Sequence, residues 1–194
     1  LLNTTKIYDI ATNTWSTGAN LPDSRTNTYG TAANGLIYVY GGVNQLTPAF
    51  ATTDTLLRYD PVANSWTNLG SAGTVGLRGN YGGISTFGSG QLLIVDGANA
   101  AGVSVNTTHI FTISSGAFSN GPAMIEARAG HAQATLPDGR VLVADGFNGS
   151  FATTGVELLS ASCPSGTPTN TPTATATSTS TATACSPPTS CTER

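Results

Sequence analysis

Charge is what this chain has least of. Lys, Arg, Asp and Glu make up 9% of its 194 residues, and seven basic against ten acidic side chains leave a formal net charge of -3. The Lys and Arg are scattered, so no basic stripe exists for a nucleic-acid backbone to follow, and nucleic acid is excluded as the expected partner. No apolar run approaches the roughly 18 to 20 residues that a membrane-crossing helix needs, so no transmembrane segment is expected. Only two His are present, His109 and His131, and the three Cys (Cys163, Cys185, Cys191) all fall in the last part of the chain. An odd count allows one bridge in an oxidising compartment and leaves one thiol unpaired or joined to another chain. The chain opens at Leu1 with no Met and no basic segment followed by an apolar stretch. It is read as a fragment, with a signal peptide neither present nor excluded upstream.

Gly is abundant, with 23 residues, as are Thr, Ser and Asn. Such a composition favours an all-β protein with many turns. The chain also repeats itself. Tyr8-Asp9 precedes Trp15, Tyr59-Asp60 precedes Trp66, and Phe111-Thr112 precedes Phe118, so an aromatic pair seven residues apart recurs after 51 and then 52 residues. Arg25, Arg78 and Arg128 each stand shortly before Tyr29-Gly30, Tyr81-Gly82 and Gly130-His131. A β-rich run ends three times in a Gly step: residues 36–40 into Gly41-Gly42, 92–95 into Asp96-Gly97, and 141–144 into Asp145-Gly146. A period near 50 residues means stacked supersecondary units, none of which can bury its apolar face alone.

Short apolar runs bounded by turn signals give four antiparallel strands per unit. In the central unit these are Tyr81 to Phe87, Gln91 to Val95, Val105 to Ile113, and a short one around Phe118. Asn34-Gly35 and Asp138-Gly139 read as two-residue hairpin turns with positive φ. Residues 4–17 supply only a third and fourth strand, and residues 128–160 a first, second and third. From Thr167 to Thr183 every second residue is Thr. Both faces of such a strand would be polar or tiny, and Pro168 and Pro172 remove ladder donors, so ordering entropy would go uncompensated. Two regions follow: 1–162, the repeats, and 163–194, a disordered Thr/Ser/Pro-rich linker or tether. The tail's composition resembles the tethers of bacterial surface proteins and is compatible with O-glycosylation.

The unit from Arg25 to Trp66, with Tyr29-Gly30, Gly41-Gly42 and Tyr59-Asp60 between, resembles the kelch repeat, including the galactose-oxidase-like kelch repeats of bacteria. The resemblance covers about residues 4 to 160. Departures are Asp for the first Gly in two copies, Phe111 and Phe118 for Tyr and Trp, and Leu159 for the last Tyr. It implies an all-β fold: a partial kelch-type β-propeller of about three four-stranded antiparallel blades followed by the disordered tail. In that setting Tyr59 and Trp66 fill the gap between blades, and Gly41 and Gly42 permit close chain approach. Arg25, Arg78 and Arg128 are expected to bond carbonyls between blades. His131 is matched to the first-strand place of Tyr29 and Tyr81, and His109 is expected half exposed.

Strand parity puts the loop from second to third strand and the loop between units on one face. Long loops on a rigid scaffold are where binding residues sit. Asn44, Gln45, Phe50, Asn99, Phe147, Asn148 and Phe151 on these loops mix amide and aromatic groups suited to sugars or peptides. Chemistry is harder to find. The radical-copper site of galactose oxidase takes two His, two Tyr and a Cys joined to one Tyr, whereas every Cys here lies beyond the repeats. The two His have no nearby acid in sequence and no G-x-S-x-G step occurs. Asp96 and Asp145 are expected to cap turns, with a carboxylate pair or Ca²⁺ ligand set as the alternative. No catalytic residue, metal or cofactor is expected.

The best reading is a non-catalytic kelch-repeat binding module, extracellular or at the cell surface, engaging a protein or glycan through loops on one propeller face, with the remaining blades of a parent chain as further partners. The runner-up is a fragment of a galactose-oxidase-like or other carbohydrate-active enzyme whose catalytic residues lie in missing blades. A third reading is an architectural spacer. Three blades alone are expected to expose blade faces and sheet edges.

Overall fold

A computed structural model of the chain describes residues 1–45, 51–72, 77–80, 82–99, 101–161 and 191–193. Phe50, Tyr81 and most of the 163–194 tail lie outside the described residues. Among the described residues the chain is all strand and turn, and no helix is long and apolar enough to cross a membrane.

In chain order the strands are β1 (Thr5–Asp9), β2 (Thr14–Gly18), β3 (Tyr29–Ala33), β4 (Leu36–Tyr40), β5 (Val43–Gln45), β6 (Ala51–Thr52), β7 (Thr55–Asp60), β8 (Ser65–Ser71) and β9 (Leu77–Asn80). They continue with β10 (Gly83–Phe87), β11 (Gln91–Val95), β12 (Ala98–Asn99), β13 (Thr108–Thr112), β14 (Ala117–Asn120), β15 (Ala132–Thr135), β16 (Val141–Ala144), β17 (Val156–Ser160) and β18 (Cys191–Glu193). Three four-stranded antiparallel meanders result: β3-β4-β7-β8, β10-β11-β13-β14 and β15-β16-β17-β18. We call them units II, III and IV, and the β1-β2 hairpin that precedes them unit I. This is a partial kelch-type propeller. The innermost strands β3, β10 and β15 lie side by side, as successive blades require.

The seven-residue aromatic spacing is a hairpin register. Tyr8 lies opposite Trp15, Tyr59 opposite Trp66 and Phe111 opposite Phe118, with ring centroids 5.1, 5.0 and 4.9 Å apart. Five residues after the first ring comes the left-handed residue that closes each turn, Asn13 (φ 53°), Asn64 (φ 47°) and Gly116 (φ 68°). Asp9 and Asp60 cap the same turns, each accepting two backbone N–H groups on Oδ1. Ring and turn residue vary together. Tyr8 and Tyr59 donate their hydroxyls to Asn13 and Asn64 Oδ1 at 2.6 and 2.7 Å, whereas Phe111, with no hydroxyl, goes with Gly116, with no amide.

Between units the sheets bury both faces. All four residues Leu92 to Val95 of β11 are fully buried. Leu92 and Ile94 pack with Tyr38, Tyr40 and Leu56 of unit II, and Leu93 and Val95 with Val141, Val143 and Leu159 of unit IV. The two cores thus alternate along one strand, as period-two geometry demands. Trp66 Nε1 donates across the seam to Ala19 O at 3.0 Å and to Thr5 Oγ1 of unit I at 3.2 Å. The matching Trp15 is 69% exposed.

Four expectations are corrected. The Asp138 turn is a three-residue loop, Pro137-Asp138-Gly139, closed by Leu136 N to Arg140 O at 2.7 Å, because Pro137 fits a type I turn and only Gly139 (φ 85°) takes positive φ. Asn34 (φ 53°) and Gly35 (φ 75°) do form the two-residue turn. Tyr29 pairs with Tyr40 and Ala132 with Ala144, so Ala132 rather than His131 holds the place of Tyr29. His109 is buried rather than half exposed, because its strand face turns to the seam with unit II. Finally, Cys191–Glu193 pairs with β17, so the region expected as linker supplies unit IV with a fourth strand.

If the ring hydroxyl and turn amide act as one device, Tyr59→Phe will cost about 1 kcal/mol in urea denaturation. In an Asn64→Gly background the same change will cost less than half of that, a coupling that a double-mutant cycle measures.

Candidate functional site

Two classes of loop meet at one end of the sheets. The bridges Thr26 to Val43, Arg78 to Ala98 and Ala129 to Phe147 each pair a segment between units with the start of a second-to-third-strand loop. Among the described residues the other end carries tight turns, at 34–35, 61–64, 88–90, 113–116 and 137–139. The long-loop end therefore has a hydrogen-bonded floor, and the repeated Arg organises it.

Arg25 and Arg128 are both buried. Arg25 Nη1 donates to Gly41 O at 3.1 Å and Arg128 Nη1 to Asp145 O at 2.9 Å, carbonyls in equivalent places. Both sit in left-handed pairs, Gly41 and Gly42 (φ 66° and 103°) and Asp145 and Gly146 (φ 60° and 105°), which aim the carbonyl at the guanidinium. A Cβ on Gly42 would come 2.5 Å from Thr26 O, so glycine is required for the close approach as well as for φ. The guanidiniums also reach the start of the third strand, at Thr55 Oγ1 (3.0 Å) and Gly155 O (2.6 Å). These bonds tie each loop to its own unit, not to the neighbouring blade as expected. Arg25 is paired by Asp23 at 2.6 Å, and Arg128 by buried Glu157 at 2.8 Å. Glu157 also accepts Ile125 N and Glu126 N, so its carboxylate is fully engaged.

Unit III departs from this scheme. Arg78 pairs through its backbone with Ala98, the place that Thr26 and Ala129 take in their units, one residue beyond the Arg position. Asp96 stands where Gly41 and Asp145 stand, yet it does not cap a turn. Its buried carboxylate accepts Tyr40 Oη at 3.2 Å and Thr107 Oγ1 at 2.7 Å, and His109 Nε2 lies 3.0 Å from Oδ2. Burial, reinforced by the Asp96 and Asp54 carboxylates, holds the Tyr40 phenol well above its usual range. Burial likewise raises Asp54. Asp145 is exposed, so the two repeated Asp form no carboxylate pair. Among the described residues no three His, Cys, Asp or Glu converge as metal ligands.

Two hollows open at the long-loop end. A cleft of about 540 Å³ lies between units III and IV, with Ala98 and Ser104 on one wall and Ala129, Gly130, Gly146 and Phe147 on the other. Ser104 Oγ donates to Phe147 O at 2.7 Å across it. A second, more polar groove of about 730 Å³ is lined by Glu126, Asn148, Ser150, Phe151, Thr153 and Thr154. Of the residues singled out from sequence, Phe147 lines the first hollow, and Asn148 and Phe151 line the second. Asn99 is half-buried and uses Oδ1 to accept Ala101 N and Val103 N, shaping the loop. Asn44 is exposed on β5 in unit II, away from both hollows, and Gln45 is described only as part of that strand. Ser104 and Glu126 escaped sequence reading: neither residue type nor spacing marks them until the loops are brought together.

Residues 25–73 match the kelch motif, from Arg25 through the end of unit II. Together with three successive four-stranded antiparallel units, this match supports the kelch-repeat family and a β-propeller fold. A search of curated proteins finds no match.

Removing one partner of a buried ion pair strands the other, so Arg128→Met is expected to cost about 3 to 5 kcal/mol in chemical denaturation. His131, buried beside Gln133 and near Arg128, has its pKa lowered from 6.5 to about 4, mainly by burial. The folded state keeps the ring neutral, so below about pH 6.5 the unfolded chain binds the proton first. Stability is then full above that pH, falls by about 3 kcal/mol as pH drops to 4, and is flat in this respect below it. His131→Phe will flatten that part of a denaturation-versus-pH curve.

Proposed function

We propose that this chain is a non-catalytic, exported binding module that engages a partner, protein or glycan, through its long-loop end. The observation that carries the reading is the cleft between units III and IV, built by loops whose backbone is already bonded to buried Arg128 and to the Ala129–Phe147 bridge. A site of this kind is concave, mostly apolar and pre-formed, which lowers the ordering cost of binding. Phe147, 48% exposed at its rim, supplies an aromatic anchor. Both His are buried away from the cleft, His109 against the Asp96 carboxylate and His131 beside Gln133, which supports binding over catalysis. Export is supported by the Ser/Thr/Pro-rich tail and by Cys confined to it.

The test compares the two ends of the molecule. Phe147→Asp and Phe151→Asp at the loop end, and Val62→Arg and Ser115→Arg at the turn end, are screened by biolayer interferometry against a glycan array and a panel of secreted proteins. Loop-end changes are expected to abolish binding and turn-end changes to leave it intact. Binding lost only from the turn end would overturn the assignment.

A further inference from the structure

Beside the apolar cleft, the groove around Phe151 has a different chemistry, and resting on the loop-end reading above, we infer that it binds a neutral saccharide. Phe151 is 76% exposed, the most exposed aromatic ring among the described residues. It is nevertheless held: Asn148 Oδ1 accepts Ser150 N at 3.1 Å and Phe151 N at 2.9 Å, and Asn148 N donates to Phe151 O at 3.0 Å. A tight turn thus fixes the Phe151 backbone and holds its ring out at the groove, with the Asn148 Nδ2 donor left for a ligand.

Glu126 faces the same groove and is equally fixed. Thr153 Oγ1 donates to Oε2 at 2.6 Å, Arg128 Nη2 lies 3.4 Å from the same oxygen, and Gly155 leaves the space that a Cβ would deny it. Oε1 remains to accept hydroxyls. A pyranose presents an apolar C–H face and a rim of hydroxyls, which match a flat aromatic platform flanked by a carboxylate acceptor, an amide donor and the hydroxyls of Ser150 and Thr154.

The class is narrowed from two sides. Anionic sugars meet the partly exposed Glu126 carboxylate, while the nearest cation, Arg128, is wholly buried and committed to Asp145, Gly155 and Glu157. Extended peptides would need a free strand edge. Here Phe147 is bonded to Ala129 in both directions, Thr153 N to Gly146 O, and Asn148 N to Phe151 O.

Native affinity electrophoresis of the whole 194-residue chain tests this, in gels cast with soluble β-glucan, mannan, xylan or galactan, and with polygalacturonate as the anionic control. At least one neutral polysaccharide is expected to retard the protein. Phe151→Ala should weaken that retardation about tenfold and Glu126→Gln several-fold, with Val62→Ala unchanged and melting curves of all variants superimposable. No retardation by any neutral polysaccharide, retardation by polygalacturonate alone, or retardation indifferent to Phe151→Ala would overturn the inference. Blank gels together with loss of binding in Phe147→Asp would sink the saccharide and leave the loop-end reading standing. Blank gels with no effect of Phe147→Asp would sink both.

Discussion

Unit III depends on its neighbours because its sheet is apolar on both sides. An isolated antiparallel sheet can turn one face to water, but β11 cannot, since its four consecutive apolar residues point alternately to unit II and to unit IV. Burial of these side chains, at about 25 cal/mol per Å² of apolar area, is available only when units stack. The outer hairpins then act as wedges. Ring pairs of matched separation stand on the outer hairpins of units I, II and III, and Trp66 adds a hydrogen bond that runs between units.

That constraint explains which parts of the molecule could be read from its residues. The aromatic spacing and the apolar runs report strand register and burial, and both are local, so the four-stranded units and the single face of long loops were legible. The copies of the Arg marker were less reliable guides. Spacing alone aligned Arg78 with Arg25 and Arg128, yet Arg78 pairs with Ala98 at the place that Thr26 and Ala129 take, a one-residue slip along the chain. The same slip misplaced His131. Cys191–Glu193 lay hidden because three residues carry no periodicity to recognise, and their place is set by an open edge on β17 far away in sequence.

The candidate site was legible only in part, and for a physical reason. Phe147, Asn148 and Phe151 advertise themselves as large or amide side chains on a loop. Glu126 and Ser104 matter through what they meet, namely Thr153 and the Phe147 carbonyl, 27 and 43 residues away. Sequence patterns encode neighbours along a strand, not neighbours across a loop end.

Unit III shows how such an end can vary while the blades stay the same. In units II and IV a buried Arg grips a carbonyl held out by two left-handed residues. In unit III an Asp takes the carbonyl's place in the chain and gathers Tyr40, Thr107 and His109 instead. Both arrangements anchor the second-to-third-strand loop to the start of the third strand. The first leaves the loop's carbonyls turned inward and its tip free to project, as around Phe147 and Phe151. The second reaches across to unit II through Tyr40 and so locks a seam. A repeat that alternates the two can keep one blade as a rigid joint and let the next carry a binding loop, as the loop around Phe147 and Phe151 does beside unit III.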